Sequence, residues 1–345
     1  MQKEKVLVTG GNGFLALHII KQLLTEGYSV RATLRSLQKK AGVLATLKAQ
    51  RVPNLTQLEF FEADLTQDVD WQSAMADVTY VLSVAAPVFV AENSPTEELL
   101  QTATEGTLNI LKAAIASNHV KRMVMTANLG AVGFSNKDPH HITTEADWTN
   151  PDEPGLSLYE KSKLVAEKKA WAYLKQHPTS LEFTTVNAGA ILGHALDAHA
   201  SGSFGLVRNL FNGQFQAVPN IQVNIINAVD VADIHVRAMK TPAAKNQRFL
   251  AVYDQPISMP EMVALIKQQR PQLAAKLPQK TLPSWLIKLL APFNAQAKEG
   301  RLLLAVNHQV SNAKARKVLG WQPISTTEGA VLGAVDTLLQ NGELD

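Results

Sequence analysis

Tyr159 and Lys163 stand four residues apart in Tyr159-Glu-Lys-Ser-Lys163, a spacing that stacks both side chains on one face of a helix. A tyrosine is too weak an acid to act as a phenolate near neutral pH, and an adjacent ammonium draws its pKa down toward a useful range. Such a phenol can protonate a carbonyl oxygen as hydride arrives, while Lys163 reaches the ribose of a nicotinamide cofactor. An exposed Tyr/Lys pair is also ordinary helix surface. The catalytic reading therefore needs a nucleotide site elsewhere in the chain.

That site is expected at Lys5-Val-Leu-Val-Thr-Gly-Gly-Asn-Gly-Phe-Leu-Ala-Leu-His18. Val6 to Val8 read as a buried strand, and Phe14, Leu15, Leu17, Ile20, Leu23 and Leu24 fall on one helical face before Glu26-Gly27. Between them lie Gly10, Gly11, Asn12 and Gly13. Glycines there tolerate positive φ and close approach to a pyrophosphate, and the helix N-terminus offers free N–H groups and partial positive charge. Gly11, Gly13 and Ala16 meet the G-x-G-x-x-G/A spacing in its required strand–turn–helix setting.

The second strand, Tyr28 to Leu34, runs into Arg35, with Lys39 and Lys40 close behind. An enzyme that prefers NAD places an acid here for the ribose 2′-hydroxyl, yet no carboxylate occurs between Glu26 and Glu59. Arg35 can instead fork onto a 2′-phosphate, with Lys39 or Lys40 adding charge. NADP(H) is the expected cofactor.

Strands at 58–61, 78–84, 121–126 and 181–187 and helices at 97–118 and 158–176 continue the alternation. The expectation is α/β: a doubly wound parallel sheet over residues 1–189, to which 221–253 returns, and a smaller, mostly helical substrate-capping region over 190–345. A length of 345 residues exceeds what one core usually serves. The net charge of +3 is slight and no basic stripe marks a nucleic-acid surface. With no cysteine there is no disulfide framework or thiolate chemistry. No apolar run is long enough for a bilayer and no leader precedes the first strand, so the reading is cytoplasmic, with no membrane partner.

Several further segments complete a pattern: Ala63-Asp-Leu65, Val84-Ala-Ala-Pro87, Gly106-Thr-Leu-Asn-Ile-Leu111, Asn187-Ala-Gly189, Val229-Asp-Val-Ala-Asp233 and Leu319-Gly-Trp-Gln-Pro323. With the glycine turn and Tyr159-x-x-x-Lys163, the chain resembles an extended short-chain dehydrogenase/reductase, in the branch of dihydroflavonol 4-reductase-like and cinnamoyl-CoA reductase-like carbonyl reductases. The resemblance implies that Asp64 and Leu65 hold the adenine, Ala85 and Ala86 line the nicotinamide side and Ile191 follows the loop over the cofactor. Asp64 is equally suited to cap the turn after a strand.

One departure matters. The family carries Thr-Ser-Ser after the fifth strand, where this chain has Thr126-Ala127-Asn128, so Asn128 replaces the serine that bonds the substrate carbonyl. An amide N–H can donate that bond but cannot relay a proton. Asn128 as a turn cap is the structural alternative, and Thr126 is the fallback hydroxyl. His140, His141, His194 and His199 lack a companion set at metal-ligand spacing. Trp285, Leu286, Leu289, Leu290 and Phe293 repeat at helical spacing, as the apolar face of a lid helix would.

The chain therefore reads as an NADPH-dependent reductase of a small-molecule aldehyde or ketone, monomeric or homodimeric. Tyr159 is its acid, Lys163 its ribose anchor and Asn128 its carbonyl donor. Two alternatives are a nucleotide-sugar epimerase or dehydratase, disfavoured because Arg208 is the only cation between Ala188 and Val229, and a non-catalytic NADP-binding redox sensor.

Overall fold

The computed structural model describes residues 4–67, 69–85, 96–211 and 217–344. Strands β1 (Lys5–Val8), β2 (Ser29–Leu34), β3 (Leu58–Glu62), β4 (Tyr80–Ser83), β5 (Arg122–Asn128) and β6 (Glu182–Ala188) alternate with helices α1 (Phe14–Thr25), α2 (Lys40–Ala49), α3 (Val69–Ala74), α4 (Thr96–Ala116) and α5 (Leu158–Gln176). Next come β7 (Ala190–Leu192), α6 (Gly205–Phe211), β8 (Ala217–Pro219), β9 (Gln222–Val223), β10 (Ile225–Asn227), α7 (Ala228–Lys240), β11 (Arg248–Ala251) and β12 (Ile257–Ser258). The chain ends with α8 (Met259–Gln269), β13 (Lys280–Leu282), α9 (Ser284–Leu290), α10 (Ala295–Ala305), α11 (Ala313–Leu319) and α12 (Thr327–Gln340).

Seven of these strands form one sheet in the order β11-β6-β5-β4-β1-β2-β3, and every pair is parallel. Order reverses beside β1: the chain passes from β1 to β2 on one side and from β4 to β5 on the other, the switch point at whose carboxyl edge such sheets bind ligands. Side-chain alternation divides the core in two. Val6, Val8, Val124 and Val186 face α1 and α7; Leu7, Val81, Met123 and Phe183 face α4 and α5. A parallel sheet covered on both faces needs such continuous apolar runs, and each fully buried aliphatic side chain contributes about 1.5–3 kcal/mol.

Arg122, 2% exposed, locks the return of the chain. It bonds Glu182 at 2.8 Å and donates to the carbonyls of Ala238 and Thr241 at 2.7 and 2.6 Å, a cation at the C-terminal end of α7. The remaining strands make three short ladders, β7 with β10, β9 with β12 and β8 with β13. Apart from α7 and β11, which return to the main sheet, the region after β6 is helices bound by small ladders, whose two- and three-residue strands are too short to show a period in the sequence. Among the described residues, no helix is long and apolar enough to cross a membrane.

Candidate active site

The glycine turn is built by contacts that only glycine allows. Gly10 has φ +66°, and a Cβ there would lie 2.9 Å from the Ala85 Cβ; one on Gly11 would lie 2.6 Å from the Ala32 Cβ. The Gly10 N–H donates to Thr33 Oγ1 at 3.1 Å, and buried Thr9 accepts from the N–H groups of Val84 and Ala85, both at 2.9 Å. The ends of β1, β2 and β4 are thereby lashed together. Gly13 starts α1 with no side-chain cap and no acid in the first turn, which leaves the positive helix end for an anion. Phe14 and Leu15 are buried, the Phe14 ring edge-on to His18 and Phe204. Burial holds His18 down to about 4, so it is neutral and its Nε2 meets the His194 carbonyl at 3.0 Å.

Arg35, Lys39 and Lys40 are exposed after β2, and among the described residues no ion pair engages them. The acid-free window of the sequence is not acid-free in space. Leu34 stands beside Glu62 on β3, whose carboxylate accepts the Leu37 N–H at 2.9 Å. Asp64 caps its turn, accepting from the Thr66 N–H and hydroxyl through Oδ1 at 2.8 and 2.9 Å. Leu65 lies against α4, where a Cβ on Gly106 would come within 3.1 Å of it. Ala85 is half-buried against Gly10, and Ala86 lies outside the described residues. Ile191, on β7, pairs with Ile226 and accepts from the Ser201 hydroxyl at 3.1 Å.

Ser157 caps α5 and forms a capping box with Glu160, which fixes the helix start two residues before Tyr159. The expectation that Lys163 lowers the Tyr159 pKa is not what the structure shows. Burial raises it, the Glu160 charge adds to the rise, and the Asn128 amide, directed at the phenol oxygen, pulls the other way. As a whole residue Tyr159 is 48% exposed, so its ring is open to an incoming ligand. Lys163 lies over the ring face, 5.7 Å from the centroid, rather than at the oxygen. Desolvation pushes it down to about 8, and among the described residues no hydrogen bond or ion pair engages it. A partly desolvated ammonium without an acceptor fits a ribose hydroxyl.

Asn128 ends β5 and accepts the Gly130 N–H at 2.5 Å through Oδ1. That contact orients the amide and leaves its N–H groups for the phenol or a carbonyl. Thr126 is committed elsewhere: His235, buried and held down to about 4, bonds the Val231 carbonyl through Nδ1 at 2.7 Å, so its Nε2 takes the Thr126 proton at 2.8 Å.

Sequence reasoning missed three polar groups near this site. Glu167 continues the Tyr159/Lys163 stripe and pairs with Arg248 at 2.9 Å; the i, i+4, i+8 spacing was its available signal. Glu299 on α10 is pushed up to about 7 by burial and by the Glu160 charge. The apolar repeat around α9 does not face inward as a lid face would: Trp285, Leu289, Leu290 and Phe293 are exposed and Ile287 is the buried residue. Ile287 packs on Gly300 of α10, where a Cβ would come within 3.2 Å of it. His141 pairs with Asp147, His199 with Asp197, and among the described residues no three potential ligands gather as a metal site.

A sheet switch point, an anion-ready helix end and a desolvated Tyr/Lys pair together describe a nicotinamide-dependent oxidoreductase site. The family model described as "NAD dependent epimerase/dehydratase family" matches residues 6–251. The chain belongs to that family. Within this epimerase/dehydratase (extended short-chain dehydrogenase/reductase) family its relatives are reductases. A cinnamoyl-CoA reductase of Medicago truncatula is 30% identical over 281 residues, 80% of this chain and 83% of the relative. An anthocyanidin reductase of Vitis vinifera is 27% identical over 312 residues, 86% and 90% of the two chains. The fold matches yeast methylglyoxal/isovaleraldehyde reductase, solved with NADPH, at TM-score 0.80 and 24% identity over 99% of this chain and 100% of that one. As a family member, the chain is an NAD(P)-dependent oxidoreductase.

Proposed function

We propose that this protein reduces an aldehyde or ketone to an alcohol with NADPH, using Tyr159 as the acid. The observation that carries the reading is the Tyr159–Asn128–Lys163 arrangement: a phenol whose pKa burial raises and the Asn128 side chain lowers, an Asn128 amide oriented by the Gly130 N–H, and an unpaired ammonium over the phenol ring. A raised pKa suits reduction, because the acid must hold its proton until the carbonyl oxygen gains charge. Tyr159 donates that proton. The Asn128 amide polarises the carbonyl in the role of an oxyanion donor, and Lys163 holds the ribose. NADPH, when bound, supplies the hydride.

The residues present fit that cofactor. The Gly10–Gly13 turn is a cradle that Cβ atoms would fill, the α1 N-terminus is uncapped, and exposed Arg35, Lys39 and Lys40 suit a 2′-phosphate. The Thermotoga maritima UDP-glucose 4-epimerase shares the fold, at TM-score 0.69 and 18% identity over 97% of this chain and 99% of that one. A nucleotide-sugar diphosphate needs cations in the capping region, and Arg208 is already paired with Glu343 at 2.6 Å. Carbonyl reduction is therefore favoured over epimerisation.

An NADPH-oxidation screen across aldehydes, ketones and diketones tests the reading, with turnover of at least one class expected. A protein that binds NADPH tightly and turns over none of them is a sensor. Arg35→Asp is expected to weaken NADPH at least about tenfold more than NADH. Equal affinity of the unmodified protein for the two would remove the NADP preference.

A further inference from the structure

Beneath the Tyr159/Lys163 pair runs a dry line of hydrogen bonds that the proposed reaction does not use directly. Glu167 is 0% exposed and follows Tyr159 and Lys163 on the same stripe of α5. Its Oε1 accepts from Arg248 Nε at 2.9 Å and the Thr185 hydroxyl at 2.8 Å, and its Oε2 accepts from Asn187 Nδ2 at 2.7 Å. Arg248 is fixed from behind. Its guanidinium stacks 3.6 Å above the Trp148 ring and donates to the Glu145 and Asp147 carbonyls at 2.9 and 2.8 Å. From Asn187 the line continues: the same Nδ2 donates to the Asn128 carbonyl at 3.3 Å, and the Asn128 side chain in turn acts on the Tyr159 phenol, whose pKa it lowers.

A buried ion pair is a poor device for stability alone, since well-packed apolar groups often serve as well or better. What apolar groups cannot do is fix the direction of a hydrogen bond. Asn187 Nδ2 carries two protons, and its two acceptors are the Glu167 carboxylate and the Asn128 carbonyl. The carboxylate, with the Thr185 hydroxyl on Asn187 Oδ1 at 3.1 Å, therefore sets which way Asn187 faces, and Asn187 holds the Asn128 carbonyl at the end of β5.

We infer that Glu167 is a positioning residue for the reaction at Tyr159: backed by Arg248, it orients Asn187, which holds the Asn128 carbonyl and so aims the Asn128 amide. The inference rests on the reading of Tyr159 as the acid.

Asn187→Ala cuts the line at one link and leaves the Glu167 bonds to Arg248 and Thr185 in place. Glu167→Gln turns an amide N–H toward that of Asn187. In both, kcat at saturating carbonyl is expected to fall roughly 10- to 100-fold, as small misplacements of catalytic groups do, while the KM for NADPH stays within about twofold. The high-pH limb of kcat should move upward, because an amide that favours the phenolate is no longer aimed at it. A purely structural role would not move that limb. If Asn187→Ala and Glu167→Gln fail to fold, Arg248→Lys, which keeps the charge and loosens its fork, carries the same test with a smaller loss. Parental kcat and parental pH profile in the folded variants would overturn the inference whatever happens to Tm. A Tyr159→Phe enzyme run in parallel keeps the two claims apart, since parental turnover there removes the acid assignment itself.

Discussion

At the scale of single residues, the proposed reaction divides its chemistry among three side chains, and each has its own signature. Tyr159→Phe loses one hydroxyl from a half-open ring, so fold and NADPH binding should persist while kcat falls about 10²-fold or more. Asn128 has two duties, the Gly130 N–H at 2.5 Å and the phenol, so Asn128→Ala should show two losses. Transition-state stabilisation should drop about 2–4 kcal/mol in kcat/KM, and Tm should fall with the unmatched Gly130 N–H, worth about 1 kcal/mol. Asn128→Ser restores an acceptor and a donor and should keep activity. A lower Tm with unchanged kcat/KM in the alanine variant would make Asn128 a cap only. Lys163 carries a pH prediction for the cofactor-free protein. Its folded pKa of about 8 lies below the ordinary 10.5, so below pH 8 both states are charged and the folded one bears the desolvation cost. Between 8 and 10.5 the unfolded state binds more protons and stability rises with pH. Lys163→Met should therefore raise Tm by about 2 °C or more at pH 7, gain less at pH 10, and lose both turnover and cofactor affinity.

At the scale of elements, the start of α5 is governed by α10. A Cβ on Gly155, at φ +96°, would meet the Lys298 carbonyl at 2.7 Å and Leu302 at 3.1 Å, so α10 rests directly on the loop that leads into Tyr159. It brings Glu299 toward Glu160, which itself stacks on the Asn128–Gly130 turn. Burial and the Glu160 charge raise the folded pKa of Glu299 from 4.5 to about 7. Below pH 4.5 both states are neutral there and nothing is lost; as pH rises through 7 the folded protein must ionise a desolvated carboxyl and loses stability. Glu299→Gln should accordingly raise Tm at pH 8 and leave it nearly unchanged at pH 4.5. Thermal melts at the two pH values check this, and an equal shift at both would place Glu299 in solvent.

At the scale of the whole molecule, a buried acid is one of the staples that hold the C-terminal segment to α7 and the central sheet. Asp230 on α7 accepts from the Tyr253 hydroxyl at 2.6 Å, the Trp321 indole at 3.3 Å and the N–H groups of Ile324 and Ser325 at 2.6 and 3.1 Å. Trp321 is fully buried. Trp321→Ala should cost about 3–5 kcal/mol through the cavity and the lost indole bond, read as a lower midpoint in denaturant. NADPH should recover part of that loss, because a ligand of the native state stabilises by mass action.

Local pattern in the chain was enough for the alternation of strands and helices through residue 188, the glycine turn and the Tyr159/Lys163 face. Those features are local: each rests on a period of two or 3.6 residues, or on a conformation that only glycine adopts. It also marked Val229–Asp233 and Leu319–Pro323 as a pattern without showing that Asp230 and Trp321 meet. Tertiary structure alone decided what lies far apart in the chain. Glu62 reaches the end of β2 from the next strand, Arg248 reaches Glu167 across 81 residues, and α10 lays Glu299 on the active-site helix. It also reversed the expected direction of the Tyr159 pKa, since burial and the Glu160 charge raise it and Lys163 faces its ring. Such contacts follow from sheet order and packing, and neither burial nor the direction of a side chain has a signature in local spacing.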